Sequence, residues 1–250
     1  AYEITYGDWS SDVCSSDLQS LADKKPDLIL LPELWLSGAF NIDKAISLAT
    51  TFPGKISEDF CEIASIHNVW IHAGSFIEKQ DNAFFNTSLI INSQGEIAAT
   101  YKKIHLFGFQ EGESKYLTSG DDLVCIATPL GMTAITTCYD LRFPEIFRKL
   151  LDKGATSILM SSGWPEERIE HWNSLSKARA IENQTFFIGC NGVGISNKTK
   201  LGGNSLVIDP WGNLLNKQTN TENIFNIEID LQQVNTVREK LPVLADRIIK

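Results

Sequence analysis

The chain alternates short apolar segments with longer amphipathic ones over most of its length. Compact apolar runs bounded by turn residues are typical of strands, and apolar residues spaced three and four apart are typical of helices. Strands are predicted over 27–31, 69–77, 85–92, 97–103, 123–127, 131–137, 157–161, 186–190, 205–208 and 224–229. Helices are predicted over 56–67, 143–153, 170–183 and 234–240. This alternation, together with hairpins, predicts an α/β layered fold with a mixed sheet.

No internal repeat or interdomain linker interrupts the pattern, so we expect a single domain over residues 1–250. Residues 7–18 depart from it, because they form a Ser/Asp tract without hydrophobic periodicity where an α/β protein should have a strand and a helix. Two interpretations of this tract stay open, a polar loop or a segment that is not native sequence. We infer no function from the first 18 residues, Cys14 included.

Composition narrows the class of protein. Of the 250 residues 43% are hydrophobic, which is enough to bury a large core. The formal net charge is -9 without a sustained basic run, so we expect neither nucleic acid nor a membrane as a partner. The five cysteines are scattered and lack a CxxC pair, which predicts reduced thiols in a cytoplasmic enzyme. The four histidines have no zinc-ligand spacing, so no metal site is expected.

Cys138 is the strongest indication of chemistry. The apolar run 134–137 stops at this thiol, and a helix-like segment begins there. A nucleophile at such a junction is presented at the end of a strand, and helical backbone N–H groups point toward whatever it attacks. A helix N-terminus also favours the thiolate, which is the reactive form. Taken alone the residue is ambiguous, because an isolated buried cysteine is more often a small core residue.

Three further segments carry candidate groups. Glu33 ends the apolar run 28–32, at the edge of the sheet where active sites of layered α/β folds collect, and partial desolvation there would raise its pKa toward a useful range. Lys103 ends a predicted strand, where it could stabilise an oxyanion in an acyl-transfer transition state. The acidic loop 110–115 could bring a second carboxylate near the thiol. Each group also has an ordinary interpretation as a surface charge.

In this order and with these neighbours, the segments resemble the nitrilase (carbon–nitrogen hydrolase) superfamily. In that family a Glu–Lys–Cys triad follows the patterns LPE, YxKxHLF and CYDxRFPE, matched here by 31–33, 101–107 and 138–145. Further matching segments are 164–172, 178–184, 190–194, 209–212 and 238–242. The resemblance implies a four-layer α-β-β-α sandwich that assembles as a homodimer or a larger homo-oligomer.

The resemblance also implies the reaction and its residues. The reaction is hydrolysis of a non-peptide C–N bond through a thioester, with a small amide and water as substrates and without cofactor or metal. Cys138 would be the nucleophile and Glu33 the general base. Lys103 would hold the oxyanion, with the backbone N–H of Tyr139 as the second donor. Glu113 would orient Lys103 or the departing amine.

Within the superfamily, the HLF, CYDLRFPE and ARAIENQ segments look most like the omega-amidase branch, which hydrolyses amides of short dicarboxylates such as 2-oxoglutaramate. Arg142 could pair bidentately with a substrate carboxylate, or form a structural ion pair with Glu145 or Glu182. Three aromatic residues are candidate pocket walls or core residues: Phe40, Phe107 and Trp164.

Several alternatives stay open. An N-carbamoyl amino acid amidohydrolase or another amidase of the superfamily would use the same residues. A nitrile hydrolase is less favoured, because CYDLRFPE differs from the CWEN-type sequence around the thiol of those enzymes. A Cys–His hydrolase would use His105 or His171 as its base. Outside enzymes, the chain would be an inactive interaction module.

Overall fold

A computed structural model describes residues 2–3, 24–108, 112–224 and 226–249 of the protein. The anomalous tract 7–18 and Cys14 therefore lie outside the described residues. The strands are β1 (Tyr2–Glu3), β2 (Leu28–Leu30), β3 (Trp70–Gln80), β4 (Ala83–Ile91), β5 (Ile97–Lys102), β6 (Cys125–Thr128), β7 (Gly131–Thr137), β8 (Ser157–Ser162), β9 (Phe186–Asn191), β10 (Ile195–Ser196), β11 (Thr199–Lys200) and β12 (Leu206–Ile208). The helices are α1 (Ile42–Ser47), α2 (Lys55–His67), α3 (Glu113–Tyr116), α4 (Pro144–Asp152), α5 (Ile169–Asn183) and α6 (Gln232–Lys240).

Two five-stranded sheets carry the fold. Their strand orders are β1-β2-β3-β4-β5 and β12-β9-β8-β7-β6. In the first sheet β1, β2 and β3 are parallel, and β4 and β5 continue antiparallel. In the second sheet β7, β8 and β9 are parallel, flanked by antiparallel β6 and β12. The carboxyl ends of β7 and β8 lie side by side, since Thr137 pairs with Ser161.

The two sheets pack face to face, and α2 covers the outer face of the first. Leu28 and Leu30 belong to the hydrophobic cluster between the sheets. Ile29 and Leu31 belong to the cluster that contains Phe60 of α2. Successive side chains of a strand point to opposite faces, so both faces of β2 are buried. That explains why the run 28–31 is apolar throughout rather than alternating.

Helices α4 and α5 cover the outer face of the second sheet. Ile158 and Met160 of β8 pack in one cluster with Phe147 of α4 and Trp172 of α5. The layers thus follow the order helix, sheet, sheet, helix, which is the four-layer α-β-β-α sandwich that the family resemblance implies. Within the described ranges, every helix falls short of the length and apolarity needed to span a membrane.

One predicted strand is wrong, and five short elements were not predicted: β1, α1, α3, β10 and β11. The described part of 224–229 forms no continuous strand. Its three isoleucines instead pack against the hydrophobic clusters from an irregular segment: Ile224, Ile227 and Ile229. The apolar spacing therefore reflected burial rather than strand pairing. The helix α1 and the β10–β11 hairpin carry no strong periodicity, since both are very short.

Candidate active site

Four predicted groups meet in one cavity at the edge of the two sheets. Glu33 lies just after β2, Lys103 follows β5, Cys138 follows β7, and Glu113 begins α3. All four line a solvent-open cavity with about 370 Å³ of empty space.

The ammonium of Lys103 lies between the two carboxylates. Its Nζ is 2.7 Å from Oε1 of Glu33 and 2.7 Å from Oε2 of Glu113. The three side chains are almost completely buried. Burial alone would lower the pKa of Lys103, but the charges of Glu113 and Glu33 raise that pKa well above its usual value. The lysine is therefore a permanent cation that compensates one of two buried negative charges.

Backbone and amide donors hold both carboxylates in place. Nδ2 of Asn86 donates to Oε1 of Glu33 at 3.1 Å and to Oε1 of Glu113 at 2.7 Å. The N–H of Gly163 donates to Oε2 of Glu33 at 3.0 Å, and the N–H of Phe107 donates to Oε2 of Glu113 at 2.9 Å. Asn86 and Gly163 were not predicted. The only sequence signal for Asn86 was a polar residue within a predicted strand.

Glu33 is suited to accept a proton. Burial raises the pKa of Glu33, and the charge of Glu113 raises it further, while Lys103 acts in the opposite direction. The outcome is a carboxyl whose pKa lies above its ordinary value. Such a group is a better base than an exposed glutamate, as desolvation at the strand end predicted.

Cys138 lies in a strained turn rather than at the start of an α-helix. Its φ is 44°, a left-handed conformation that non-glycine residues adopt rarely and mostly at functional sites. The residue opens a 3₁₀ turn over Cys138–Arg142, and α4 starts only at Pro144. The sharp turn lifts the thiol out of the strand, as the strand-to-helix pattern predicted.

The surroundings of Cys138 favour the thiol over the thiolate, which is opposite to the effect expected of a helix N-terminus. Burial and the charge of Glu33 raise the pKa of Cys138 far above its usual value. Lys103, the Ser162 hydroxyl and the Gly163 N–H lower it, but less. A short 3₁₀ turn supplies too little positive potential to offset these effects. The sulfur therefore needs an adjacent base to become a nucleophile.

A buried aspartate joins the end of β5 to the turn that carries the thiol. Asp140 is fully buried, and its Oδ2 accepts from the hydroxyl of Tyr101 at 2.6 Å and from the N–H of Thr137 at 2.9 Å. Its Oδ1 accepts from the N–H of His105 at 3.1 Å and lies 2.7 Å from Nδ1 of the same residue. These contacts fix the relative positions of the two segments that carry Lys103 and Cys138.

The histidines do not occupy the position of a base. The ring of His105 is bonded to Asp140 and stacked on Phe143 with centroids 3.8 Å apart. Nδ1 of His171 lies 3.3 Å from Nη1 of Arg142. The charges of Glu33 and Lys103 both act on the pKa of the Cys138 thiol. The arrangement gives no support to the Cys–His alternative.

The cavity walls are aromatic and carry a guanidinium. Arg142 lies over the ring of Trp164 at 4.6 Å from its centroid and 6.0 Å from that of Tyr139. Phe107 packs edge-on against both Tyr139 and Phe40. All five predicted pocket residues line the cavity with the triad.

Arg142 does not form either of the structural ion pairs that the sequence left open as alternatives. Among the described residues, no ion pair joins Arg142 to Glu145 or Glu182, and Glu182 pairs instead with Arg179 at 2.8 Å. A second arginine, Arg168, also lines the cavity and was not predicted. The same described ranges contain no cluster of three potential metal ligands.

A thiol, a raised-pKa carboxylate and a permanent cation around one cavity form the set of groups that acyl transfer through cysteine requires. The family model for carbon-nitrogen hydrolases matches residues 15–239. The chain belongs to this family, and it is an enzyme that hydrolyses amide C–N bonds. The general mechanism of the family passes through a cysteine thioester.

Individual relatives agree with this assignment. The chain is 38% identical to the 2-oxoglutaramate amidase of Paenarthrobacter nicotinovorans, over 89% of this chain and 79% of that protein. It is 36% identical to the 2-oxoglutaramate amidase of Bacillus subtilis, over 98% of this chain and 94% of that protein. The crystal structure of the Caenorhabditis elegans NitFhit protein superposes with a TM-score of 0.89 at 30% identity, covering 99% of this chain and 64% of that longer one. That structural likeness confirms the predicted sandwich.

Proposed function

We propose that the enzyme is an omega-amidase, which hydrolyses the terminal amide of a small carboxylate-bearing compound such as 2-oxoglutaramate and releases ammonia. The observation that carries this proposal is the Lys103 ammonium held 2.7 Å from each of two buried carboxylates, in the cavity that also contains Cys138. The names of the two bacterial relatives support the substrate class.

In the acylation step, Glu33 takes the proton of Cys138 while the sulfur attacks the amide carbon. The S–C bond forms, and the carbonyl π electrons move to the oxygen. Lys103 and the backbone N–H of Tyr139 stabilise that oxyanion. As the intermediate collapses, Glu33 returns the proton to the nitrogen, the C–N bond breaks and ammonia leaves. A thioester on Cys138 remains.

In the deacylation step, Glu33 removes a proton from water, and the hydroxyl attacks the thioester carbon. The second oxyanion forms in the same place and is stabilised by the same donors. The C–S bond then breaks, and Cys138 recovers its proton from Glu33. The net reaction converts an amide and water into a carboxylic acid and ammonia. Glu113 keeps Lys103 aimed at the oxyanion in both steps.

Arg142 is the group that we propose for the distal carboxylate of the substrate. Its guanidinium lies against Trp164 at the cavity wall, where a planar, permanently charged fork can pair with a carboxylate in two hydrogen bonds. Phe107 and Trp164 would enclose the short carbon chain between the amide and the carboxylate. This division of roles predicts selectivity for substrates with an amide at one end and a carboxylate at the other.

An ammonia-release screen tests the function. The compounds are succinamate, 2-oxoglutaramate, simple aliphatic amides, N-carbamoyl amino acids and nitriles, with Cys138→Ala as the blank. We expect the fastest release from the two omega-amides, and we expect Arg142→Met to raise KM for these without affecting an uncharged amide. Release from carbamoyl compounds alone would assign the carbamoyl alternative, and release from nitriles alone would contradict the amidase proposal.

We also propose that the enzyme assembles as a homodimer through an apolar face. Four partly exposed apolar side chains line one groove at the end of α5 and α6: Ile181, Trp211, Leu241 and Val243. Contiguous exposed apolar surface of this kind is typical of protein interfaces. Light scattering after size exclusion should give twice the chain mass, and Trp211→Lys should shift it to a monomer. A wild-type mass equal to that of a single chain would contradict the proposal.

The compartment that we propose is the cytoplasm. The nucleophile has to remain a free thiol, which a reducing compartment maintains. The described cysteines are all unpaired: Cys61, Cys125, Cys138 and Cys190.

A further inference from the structure

A fully buried serine lies next to the sulfur. Ser162 is the last residue of β8 and is 0% exposed. In the parallel pairing of β7 with β8, Thr137 is opposite Ser161. The residues that follow on the two strands, Cys138 and Ser162, are therefore neighbours at the same edge of the sheet.

The two adjacent serines of β8 face opposite sides of the sheet. Leu159 belongs to the cluster between the sheets, whereas Met160 belongs to the outer cluster against which Cys138 packs. Since side chains alternate along a strand, Ser161 shares the face of Leu159 and Ser162 shares the face of Met160. Only Ser162 is thus on the side of the nucleophile.

The Ser162 hydroxyl has no hydrogen-bond partner among the described residues. Leaving a buried hydroxyl unpaired costs free energy, so such a group in a native protein calls for an explanation. The residue after it, Gly163, already donates its N–H to Oε2 of Glu33 at 3.0 Å. The end of β8 therefore holds the base on one side and presents an unused donor to the sulfur on the other.

We propose that the Ser162 hydroxyl donates a hydrogen bond to the sulfur of Cys138 when the thiol proton has moved to Glu33, and that it thereby stabilises the thiolate from which the thioester forms. The inference rests on the proposed function, because it takes Cys138 as the nucleophile. A neutral thiol is a weak acceptor, whereas hydrogen bonds to a charged acceptor are shorter and stronger, so the bond belongs to the charged sulfur. The Ser162 hydroxyl and the Gly163 N–H both lower the pKa of Cys138. This effect agrees with a hydroxyl that lies beside the sulfur.

The chemistry needs no further reactant. One proton moves from sulfur to the Glu33 carboxylate, and the negative charge that remains on sulfur receives the Ser162 hydrogen bond. When the sulfur attacks, that charge passes to the carbonyl oxygen and the bond weakens again. It re-forms when the C–S bond breaks in deacylation. A donor used only while the sulfur is charged accelerates the reaction without tightening substrate binding.

The test compares Ser162→Ala with Ser161→Ala, which removes an equally buried and equally unpaired hydroxyl from the opposite face. Alkylation of Cys138 by iodoacetamide is followed by peptide mass spectrometry between about pH 7 and pH 9, where the rate reports the thiolate fraction. A hydrogen bond to a charged group predicts that Ser162→Ala lowers both the alkylation rate of Cys138 and kcat by about 10-fold or more, with KM unchanged. Ser161→Ala should stay within about twofold of the wild type in both.

Two results would overturn the proposal. One is a Ser162→Ala enzyme that alkylates and turns over at the wild-type rate. The other is an equal loss in both serine variants, which would indicate a packing effect. Thermal melting checks that each variant is folded, and Ser162→Gly replaces Ser162→Ala if the latter aggregates. An enzyme that is inactive on every amide would refute the proposed function. The alkylation rates of the two serine variants could still be compared, because alkylation is measured without substrate.

Discussion

Replacing Glu113 by glutamine separates its charge from its shape. In the native site the two oxygens of Glu113 accept from three donors: Nζ of Lys103, the N–H of Phe107 and Nδ2 of Asn86. A glutamine has one acceptor oxygen and an NH₂ group that would face a donor. At least one buried donor therefore loses its partner. The free energy of unfolding should fall by about 1–3 kcal/mol.

Replacing Glu113 by glutamine also removes a negative charge that acts on Glu33, the proposed base. Both carboxylates contact the same ammonium, so their charges lie within about 5 Å of each other and repel by about 3 kcal/mol at an effective dielectric constant near 20. The charge of Glu113 raises the pKa of Glu33. Removing that charge lowers the pKa of Glu33, which weakens the base. With Lys103 also held less firmly, kcat should fall by about 100-fold.

The assay is the pH dependence of kcat/KM for ammonia release by the wild type and by Glu113→Gln. The carboxylate form of Glu33 is the active one, so a lower pKa moves the acid limb of the profile to lower pH. Glu166→Gln is the matched control, because Glu166 pairs at 2.8 Å with Lys200 at the surface, where removing a charge costs little. A folded Glu113→Gln enzyme with wild-type kcat and an unmoved acid limb would refute the coupling between the two carboxylates.

Three further predictions concern single buried groups. Because burial raises the pKa of Glu33, the acid limb of the wild-type kcat/KM profile should lie above the 4.5 of an ordinary glutamate, and a limb at or below that value would contradict the assignment. Asp140→Asn should lower the urea-derived free energy of unfolding by about 2–4 kcal/mol, since the aspartate accepts from Tyr101, Thr137 and His105; a change below about 0.5 kcal/mol would show that this network is not structural. Burial lowers the pKa of His72 from 6.5 to about 3, so stability is complete above pH 6.5 and declines by about 1.4 kcal/mol per unit as pH falls from there toward 3. Urea melts of His72→Gln should show a weaker acid dependence than the wild type, and an identical dependence would contradict this.

The apolar pattern was sufficient for an α/β layered fold and for placing three candidate groups at strand ends, whereas the four layers came from the family resemblance. The run 28–31 is apolar at every position because both faces of β2 are buried, and the residue after such a strand necessarily lies at the edge of the sheet. Glu33, Lys103 and Cys138 each follow a strand, so their convergence follows from the topology. Their motifs, read as a resemblance, indicated the same arrangement.

Other features depend on tertiary contacts that no local pattern encodes. Asn86 joins two carboxylates that lie 53 and 27 positions away in the chain, and an asparagine in a strand does not reveal such partners. The protonated state of Cys138 is set by burial and by the charge of Glu33, neither of which is a property of the local sequence. The segment 224–229 was predicted as a strand from its apolar residues, but three partly buried isoleucines do not by themselves provide a pairing edge.

The most direct test of the account is to trap the acyl-enzyme. The enzyme is mixed with 2-oxoglutaramate, quenched in acid within its first turnovers, digested and analysed by mass spectrometry. We expect the acyl group of the substrate on the peptide that carries Cys138, and neither adduct nor ammonia with Cys138→Ala. Ammonia release by Cys138→Ala at the wild-type rate, or an acyl adduct on Cys61 instead, would contradict the central claim.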